Sequence, residues 1–479
     1  MKFFSDAQNF SKSLLNKSHE RHEINCTIFG GILFFCTLGG VGTWGNLNIY
    51  FFSYFKNKGN LSSPSQMNLV LPIIALPIAI FGILSIQIAE RVGFRKLIMI
   101  SSFFYSVSTI LSSFTENIYV FTLLYNFIPA IALSLSMYPV IFCVWSWYPE
   151  IKGKISGYMF GVFQLSTLFY TVIGTMIANP NNKSATEKIV DENNNVLNYY
   201  DEEVANNVGK MILILGIIYF CLGGLGSYLI KPVVVKEKEV EQSKKNYISS
   251  EVEMNTKYEA FMEEKNIISD KQTIKTNECP DVKSGIMTRT FLILFINSGL
   301  VAALALYLNI NFKTFSLTRL NNDYYVTYLY IFNAIAGGIG RFFWGHIIDK
   351  YSFKSVLIVL EVMVFMNGII FPFATNVFFY CTMIFLMAFF DGGLMSIIGP
   401  GLLSIYGLNI GAKLLPIKGL SFFIGLMICP IIGILLEGRF GTGNVFFVLG
   451  LLNIIGVVLS FFIKTNYNWY RAPKENEKN

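Results

Sequence analysis

Charge is scarce in this chain: 14% of its 479 residues are Asp, Glu, Lys or Arg, and histidine occurs three times. So few charges cannot cover the surface of a soluble globular protein of this length. The seven cysteines (Cys26, Cys36, Cys143, Cys221, Cys279, Cys381, Cys429) have no paired spacing, which excludes a disulfide framework or a zinc site as the organising feature. His19 and His22 sit in a charged amino-terminal stretch and read as solvated rather than metal-binding. No intramembrane histidine cluster, metal-ligand spacing or nucleophile–base motif is present, so no enzyme activity, cofactor or metal is expected. Met1 to Glu23 lacks an apolar core beside a small-residue cleavage site, which argues against a cleaved secretory signal.

What the chain has is hydrophobic length. Hydrophobic residues make up 53% and the mean hydropathy is positive. Apolar runs exceed the roughly 20 residues that a helix needs to cross a bilayer, and the alternating pattern of a membrane β-barrel is absent. We read an all-α membrane protein with twelve transmembrane helices, near 25–54, 67–90, 95–115, 118–147, 154–178, 208–230, 287–312, 324–348, 353–375, 378–406, 412–436 and 442–464. Residues 231–286, rich in Lys and Glu and poor in aromatics, cannot bury enough surface to fold alone and read as a largely disordered linker. The expected domains are a tail (1–24), a six-helix bundle (25–230), that linker, a second six-helix bundle (287–464) and a second tail (465–479). The segment 179–207 is the other long loop, with an acidic bias.

The net charge of +7 comes from basic residues at alternate loops, not from a nucleic-acid groove. Arg91, Arg95, Lys96, Lys152, Lys154, the linker, Lys350, Lys354, Lys413 and Lys464 fall on one side, which predicts that both termini are cytoplasmic. Lys56, Lys58, Lys313 and Arg319 fall on the other. The sequons at Asn60 and Asn182 lie on that opposite side.

Two cations, Arg341 and Lys418, stand inside runs that otherwise read as lipid-buried. A cation at the centre of such a helix costs roughly 2.5–3.5 kcal/mol, so it implies a partner or a wet cavity. Arg341 precedes Asp349 by eight residues and Lys418 follows Lys413 by five, so both lie roughly 8–12 Å from one face and can meet the same small anion. The competing reading is that the cations snorkel to headgroups or are neutralised by an acid. Asp391, beside Gly392 and Gly393, is the candidate for charge compensation or proton coupling; Glu361 in the ninth run is a weaker one.

Gly345-His346-Ile347-Ile348-Asp349-Lys350 and Ala89-Glu90-Arg91-Val92-Gly93-Phe94-Arg95-Lys96 are similar to the loop motif of the major facilitator superfamily, although Ile86 and Glu90 replace its glycine and aspartate in the first copy. The resemblance implies gating roles for Glu90, Arg91, Asp349 and Lys350. Thr43-Trp44-Gly45-Asn46-Leu47-Asn48-Ile49-Tyr50, Trp147-Tyr148-Pro149-Glu150, Gly340-Arg341-Phe342-Phe343-Trp344-Gly345 and Pro416-Ile417-Lys418-Gly419 resemble the oxalate:formate antiporter branch and its monocarboxylate-transporter relatives.

In that branch the positions of Arg341 and Lys418 bind substrate carboxylates. The monocarboxylate relatives place an acid one turn before the arginine, where this chain has Gly337. By the same resemblance, Trp44, Asn46, Asn48, Tyr138, Asn297 and Tyr307 fall on cavity-lining helices, with Gln164 and Asn333 on flanking ones. Amides and rings there can orient a carboxylate, or serve as helix-packing hydrogen bonds.

The expected function is therefore alternating-access transport of a small organic anion (pyruvate, lactate, formate or oxalate), by antiport or with H⁺ in symport. The expected form is a monomer in a lipid bilayer, in the plasma membrane or an organelle membrane. The alternatives are a carrier of a neutral or cationic solute, or a transporter-like sensor.

Overall fold

The computed structural model describes residues 18–59, 72–148, 150–183, 185–190, 196–232, 279–320, 323–467 and 469. In a lipid-like interior each backbone N–H and C=O must find its partner within its own segment, and the apolar runs accordingly form helices. The amino-terminal half comprises α1 (Ser18–Leu38), α2 (Trp44–Asn57), α3 (Ala75–Val92), α4 (Phe94–Ser112), α5 (Ile118–Phe121), α6 (Ile128–Trp147), α7 (Lys152–Ala178) and α8 (Glu202–Leu229). A short helix α9 (Val282–Ile286) leads into α10 (Arg289–Leu320), α11 (Asp323–Ile348), α12 (Phe353–Ile370), α13 (Val377–Tyr406) and α14 (Leu408–Ser460).

Polar side chains cap the starts. Asn117, Asp201, Ser352 and Asn376 each accept from a backbone N–H in the first turn of α5, α8, α12 and α13.

The first span is not one helix. A 3-10 segment, Gly39–Thr43, separates α1 from α2, and the Thr167 hydroxyl of α7 donates to the Gly39 carbonyl at 2.8 Å. In the fourth span, a π-helical stretch Thr122–Phe127 joins α5 to α6.

The run 408–460 is continuous helix, where two spans were expected. A straight rod of that length would measure about 80 Å, far more than a bilayer. Its contacts show two antiparallel passes along α10. Ser421 and Gly425 meet Gly299 and Ala302 going one way; Phe446, Gly456 and Ser460 meet Tyr307 and then Asn297 coming back. These contacts set 421–425 and 446–460 against α10 in opposite directions, and the side chains from 426 to 443 lie outside the described residues. Counted so, the described helices make twelve passes. Eight helices among the described residues are long and apolar enough, by length and composition, to cross a membrane.

Two of the connecting segments carry ordered structure of their own. The segment 179–207 holds a β-hairpin, β1 (Glu187–Val190) paired antiparallel with β2 (Val196–Tyr199), with Glu187 opposite Tyr199. At the linker's end, Cys279 is buried and Asp281 caps α9 at 2.8 Å from the Ser284 nitrogen, so this part is ordered. Residues 233–278 of the linker lie outside the described residues, as do Asn60 and the tail from 470.

Each half has its own core. One gathers Phe34, Phe51, Trp145, Tyr170 and Tyr219 from α1 to α8. The other gathers Leu294, Leu360, Tyr380 and Phe446 from α10 to α14. Large apolar side chains such as Phe103, Phe104, Phe169, Phe343 and Val458 point outward, which suits hydrocarbon and would be an aggregation hazard in water.

The halves meet along α7 with α11 and α3 with α14. At Gly157 an added Cβ would stand 2.6 Å from the Arg341 carbonyl, and at Gly345 it would stand 2.6 Å from the Gly153 carbonyl. Backbone lies on backbone at this crossing, a packing that only glycine permits.

Candidate functional site

Arg341 lies in the second half of α11, two turns before its end, and is 9% exposed. Its side chain occupies the space left by two glycines. A Cβ at Gly337 would be 3.1 Å from Nη1, and one at Gly392 of α13 would be 3.4 Å from Cγ. Where the monocarboxylate relatives carry an acid, this chain leaves room for the guanidinium itself.

The guanidinium is underused. Its Nε is buried with no hydrogen-bond partner among the described residues, and no carboxylate oxygen among them comes within 4.0 Å. A buried donor left unpaired costs about 1–3 kcal/mol, more for a charged group. Lys418 on the first pass of α14 is half-buried, and its ammonium likewise has no ion pair among the described residues. Asp391, half-buried on α13, interacts electrostatically with both cations from beyond ion-pair distance. The three charges of the carboxyl-terminal half therefore face a common region without closing on one another.

From the other half, α6 and α7 supply its opposite wall. The Gln164 Cγ lies 3.7 Å from the Cβ position of Gly337, one turn from Arg341. The Tyr138 hydroxyl lies 2.9 Å from the Cβ position of Gly419, the residue after Lys418. These two candidates stand beside the cationic pair.

Others lie elsewhere. The Trp44 ring packs on Phe51 at 5.4 Å and Tyr125 at 6.4 Å within the amino-terminal core. The space it helps to line, with Tyr105, Asn126 and Tyr219, is about 20 Å³, room for one water and not for an organic anion. The Tyr307 ring is buried on Phe446 at 4.8 Å. The side chain of Asn46 lies outside the described residues. Asn297 is 3% exposed, and both amide hydrogens are used: Nδ2 donates to Glu361 Oε1 at 2.9 Å and to Ser460 Oγ at 2.7 Å. Asn297 thus serves Glu361, and it is through Glu361, which interacts electrostatically with Lys418, that it connects to the cations.

Glu361 is the residue that sequence reasoning undervalued. On α12 it is buried within the carboxyl-terminal bundle, where it meets Asn297 of α10 and Ser460 of α14. The signal was available: an acid in an apolar run carries the same kind of cost that singled out Arg341.

The gating candidates divide likewise. Asp349, at the end of α11, accepts from the Gly153 and Lys154 nitrogens at 2.8 and 2.7 Å, capping α7 across the interface between halves. A carboxylate at a helix amino terminus is favoured by the unpaired N–H groups and the dipole. Glu90 at the end of α3 pairs with Lys413 of α14 at 2.8 Å, a second link across the halves. Arg91 and Lys350 are exposed and form no ion pair among the described residues. Both links join the two halves at the same end of the bundles.

Two six-helix halves, glycine-faced where they meet and linked at one end, thus carry two cations without ion pairs among the described residues. The chain belongs to the Major Facilitator Superfamily, whose family model matches residues 29–366. It is 20% identical over 460 residues to "Apicoplast pyruvate carrier 1" of Toxoplasma gondii, covering 83% of this chain and 82% of that one.

Two solved structures share the fold. The proton:xylose symporter XylE has a TM-score of 0.63 at 15% identity, over 92% of this chain and 95% of that one. FucP in the outward conformation has a TM-score of 0.65 at 13% identity, over 92% and 99%.

Proposed function

We propose that this transporter carries a small organic anion, a mono- or dicarboxylate such as pyruvate, lactate, formate or oxalate, whose carboxylate binds between Arg341 and Lys418. The observation that carries this reading is that neither cation has an ion pair among the described residues: Arg341 Nε is buried without an acceptor there, and an anion's oxygens would supply one. Gln164 and Tyr138 orient the anion from the other half, and Asp391 tempers the positive charge so that the site is not locked on its substrate. The likeness to a relative named as a pyruvate carrier supports the same class.

Alternating access follows if the latches at Asp349 and Glu90 open while the far end closes. With both termini cytoplasmic, as the basic loops favour, the latched end is the cytoplasmic one. Exchange and proton symport are both compatible with this much of the site.

The test is counterflow in proteoliposomes with a panel of labelled mono- and dicarboxylates, with xylose as a neutral control. Arg341→Gln and Lys418→Gln, at normal expression, are each expected to lower anion uptake by about a hundredfold, the loss of roughly 2.7 kcal/mol of charge-assisted binding. Anion uptake unimpaired in both variants, or xylose carried in place of every anion, overturns the reading.

A further inference from the structure

Glu361 lies eight residues into α12, about 12 Å along the helix from its start, and is 3% exposed. Its carboxyl is held by neutral groups alone. Asn297 Nδ2 donates to Oε1 at 2.9 Å, and the Ser460 hydroxyl donates to Oε2 in a short contact. Ser460 is the last residue of α14, so the cluster sits beside the end of the bundle.

Among the described charged groups on the surrounding helices, Lys418 is the one whose charge reaches Glu361. Arg341 of α11 and Asp391 of α13 interact with each other. Lys413 of α14 is engaged by Glu90, Arg289 of α10 lies over the Phe462 ring, and Lys354 of α12 itself donates to the Phe461 carbonyl.

The cluster also accommodates a second protonation state. With a proton on Oε2, Glu361 donates to Ser460 Oγ, which still accepts from Asn297. The serine hydroxyl then turns to the carbonyl one turn back, a bond that helical serines commonly make. No heavy-atom contact is lost.

The charge count then becomes decisive. Arg341 and Lys418 are matched by Asp391 and Glu361, so the site with both acids ionised is formally neutral. An entering carboxylate adds one negative charge and takes up the Lys418 ammonium. Asp391 keeps Arg341 as a second cation; Glu361 has no second cation.

We infer that Glu361 is the proton-coupling carboxyl of this carrier: it takes one proton from water when a carboxylate binds at Lys418 and returns it when the carboxylate leaves. The proton joins Oε2, the loaded carrier is neutral again, and one anion and one proton cross together. This rests on the anion reading above, and it assigns the coupling to Glu361 instead of Asp391.

The experiment uses the full chain in liposomes enclosing a pH-sensitive dye, with pyruvate or another panel anion that the wild type exchanges added outside. Wild type is expected to acidify the lumen on anion addition. Glu361→Gln is expected to lower acidification and pH-driven uptake at least tenfold while labelled-anion counterflow stays within about threefold, since glutamine keeps the hydrogen bonds but cannot titrate. Acidification at the wild-type rate in Glu361→Gln, or its loss in Asp391→Asn alone, overturns the inference. Wild type that exchanges no panel anion overturns the anion reading beneath it.

Should Glu361→Gln fail to fold, Ser460→Ala serves. Removing one donor from the carboxyl is expected to move the pH of half-maximal uptake by about half a unit or more. A midpoint left in place overturns the inference, because a purely packing role would not move it.

Discussion

Gly337 shows how a missing side chain shapes its neighbour. With no Cβ, it leaves the Arg341 Nη1 in a space that any other residue would enter, since the added atom would stand 3.1 Å away. The guanidinium is therefore positioned by a gap in α11 and by Gly392 of α13, and no acid one turn away competes for it. Gly337→Ala should push the guanidinium off its position and weaken the apparent affinity for the anion about tenfold, roughly 1.4 kcal/mol, with expression unchanged. Concentration dependence of counterflow measures this, and an unaltered half-saturation would show that the guanidinium position is not limiting. At this scale the sequence was partly legible. Buried charges announce themselves by their cost in apolar runs, which found Arg341, Lys418 and Asp391. Tyr307 and Trp44 have no such signature, because an aromatic ring in a helix packs a core as readily as it lines a cavity; here both are packed.

At the level of elements, helix pairs across the halves decide what can move. Gly153 and Gly157 of α7 lie on Gly345 of α11, and the Tyr158 ring rests between Phe342 and His346 at 5.8 and 5.7 Å. Gly345→Val overfills this crossing and should destabilise the contact between the halves at this end by about 1–3 kcal/mol, the usual cost of overpacking. Thiol labelling of a cysteine placed at Tyr158 should then rise at least fivefold over its rate in the parent. Unchanged labelling would mean that the crossing does not hold this end shut.

The hairpin loop has a separate electrostatic clasp. Lys183 pairs with Asp201 at 2.8 Å and with Glu203. The Lys183 ammonium, followed by the Val204 N–H, holds the Asp201 carboxyl below the ordinary carboxylate range. A carboxyl lowered on folding stabilises above its unfolded pKa and loses that contribution as pH falls through the folded value. Protection factors of the amides at 185–190 and 196–201, exchange rates referred to the intrinsic rate at each pH, should therefore be lower at about pH 3 than at about pH 7, and Asp201→Asn should remove most of the difference. Equal pH sensitivity in that variant would assign the effect to another group. The clasp was not foreseen, since a run of acids and asparagines reads as a solvated loop and nothing local pairs Lys183 with residues about twenty positions on.

For the whole molecule, the sequence by itself determined the class. Long apolar runs must become helices where no water is available to the backbone, their number follows from their length against the bilayer, and the basic loops bias the orientation. Those are one-dimensional properties, because hydropathy and charge act on each segment separately. The family likeness was legible for a related reason: loop motifs such as Gly345 to Lys350 are short and contiguous.

Tertiary structure decided what depends on residues far apart in the chain. It set Gln164 and Tyr138 from one half beside the cations of the other, and Asp349 on the start of α7. It also joined Asn297, Glu361 and Ser460 from three helices into one buried cluster. Helix periodicity fixes which side chains share a face, but not which face meets which partner. That choice is made by glycine-to-glycine fit and by pairing of charges once all the helices are packed, so each buried charge could be found from the sequence while its neighbours on other helices could not.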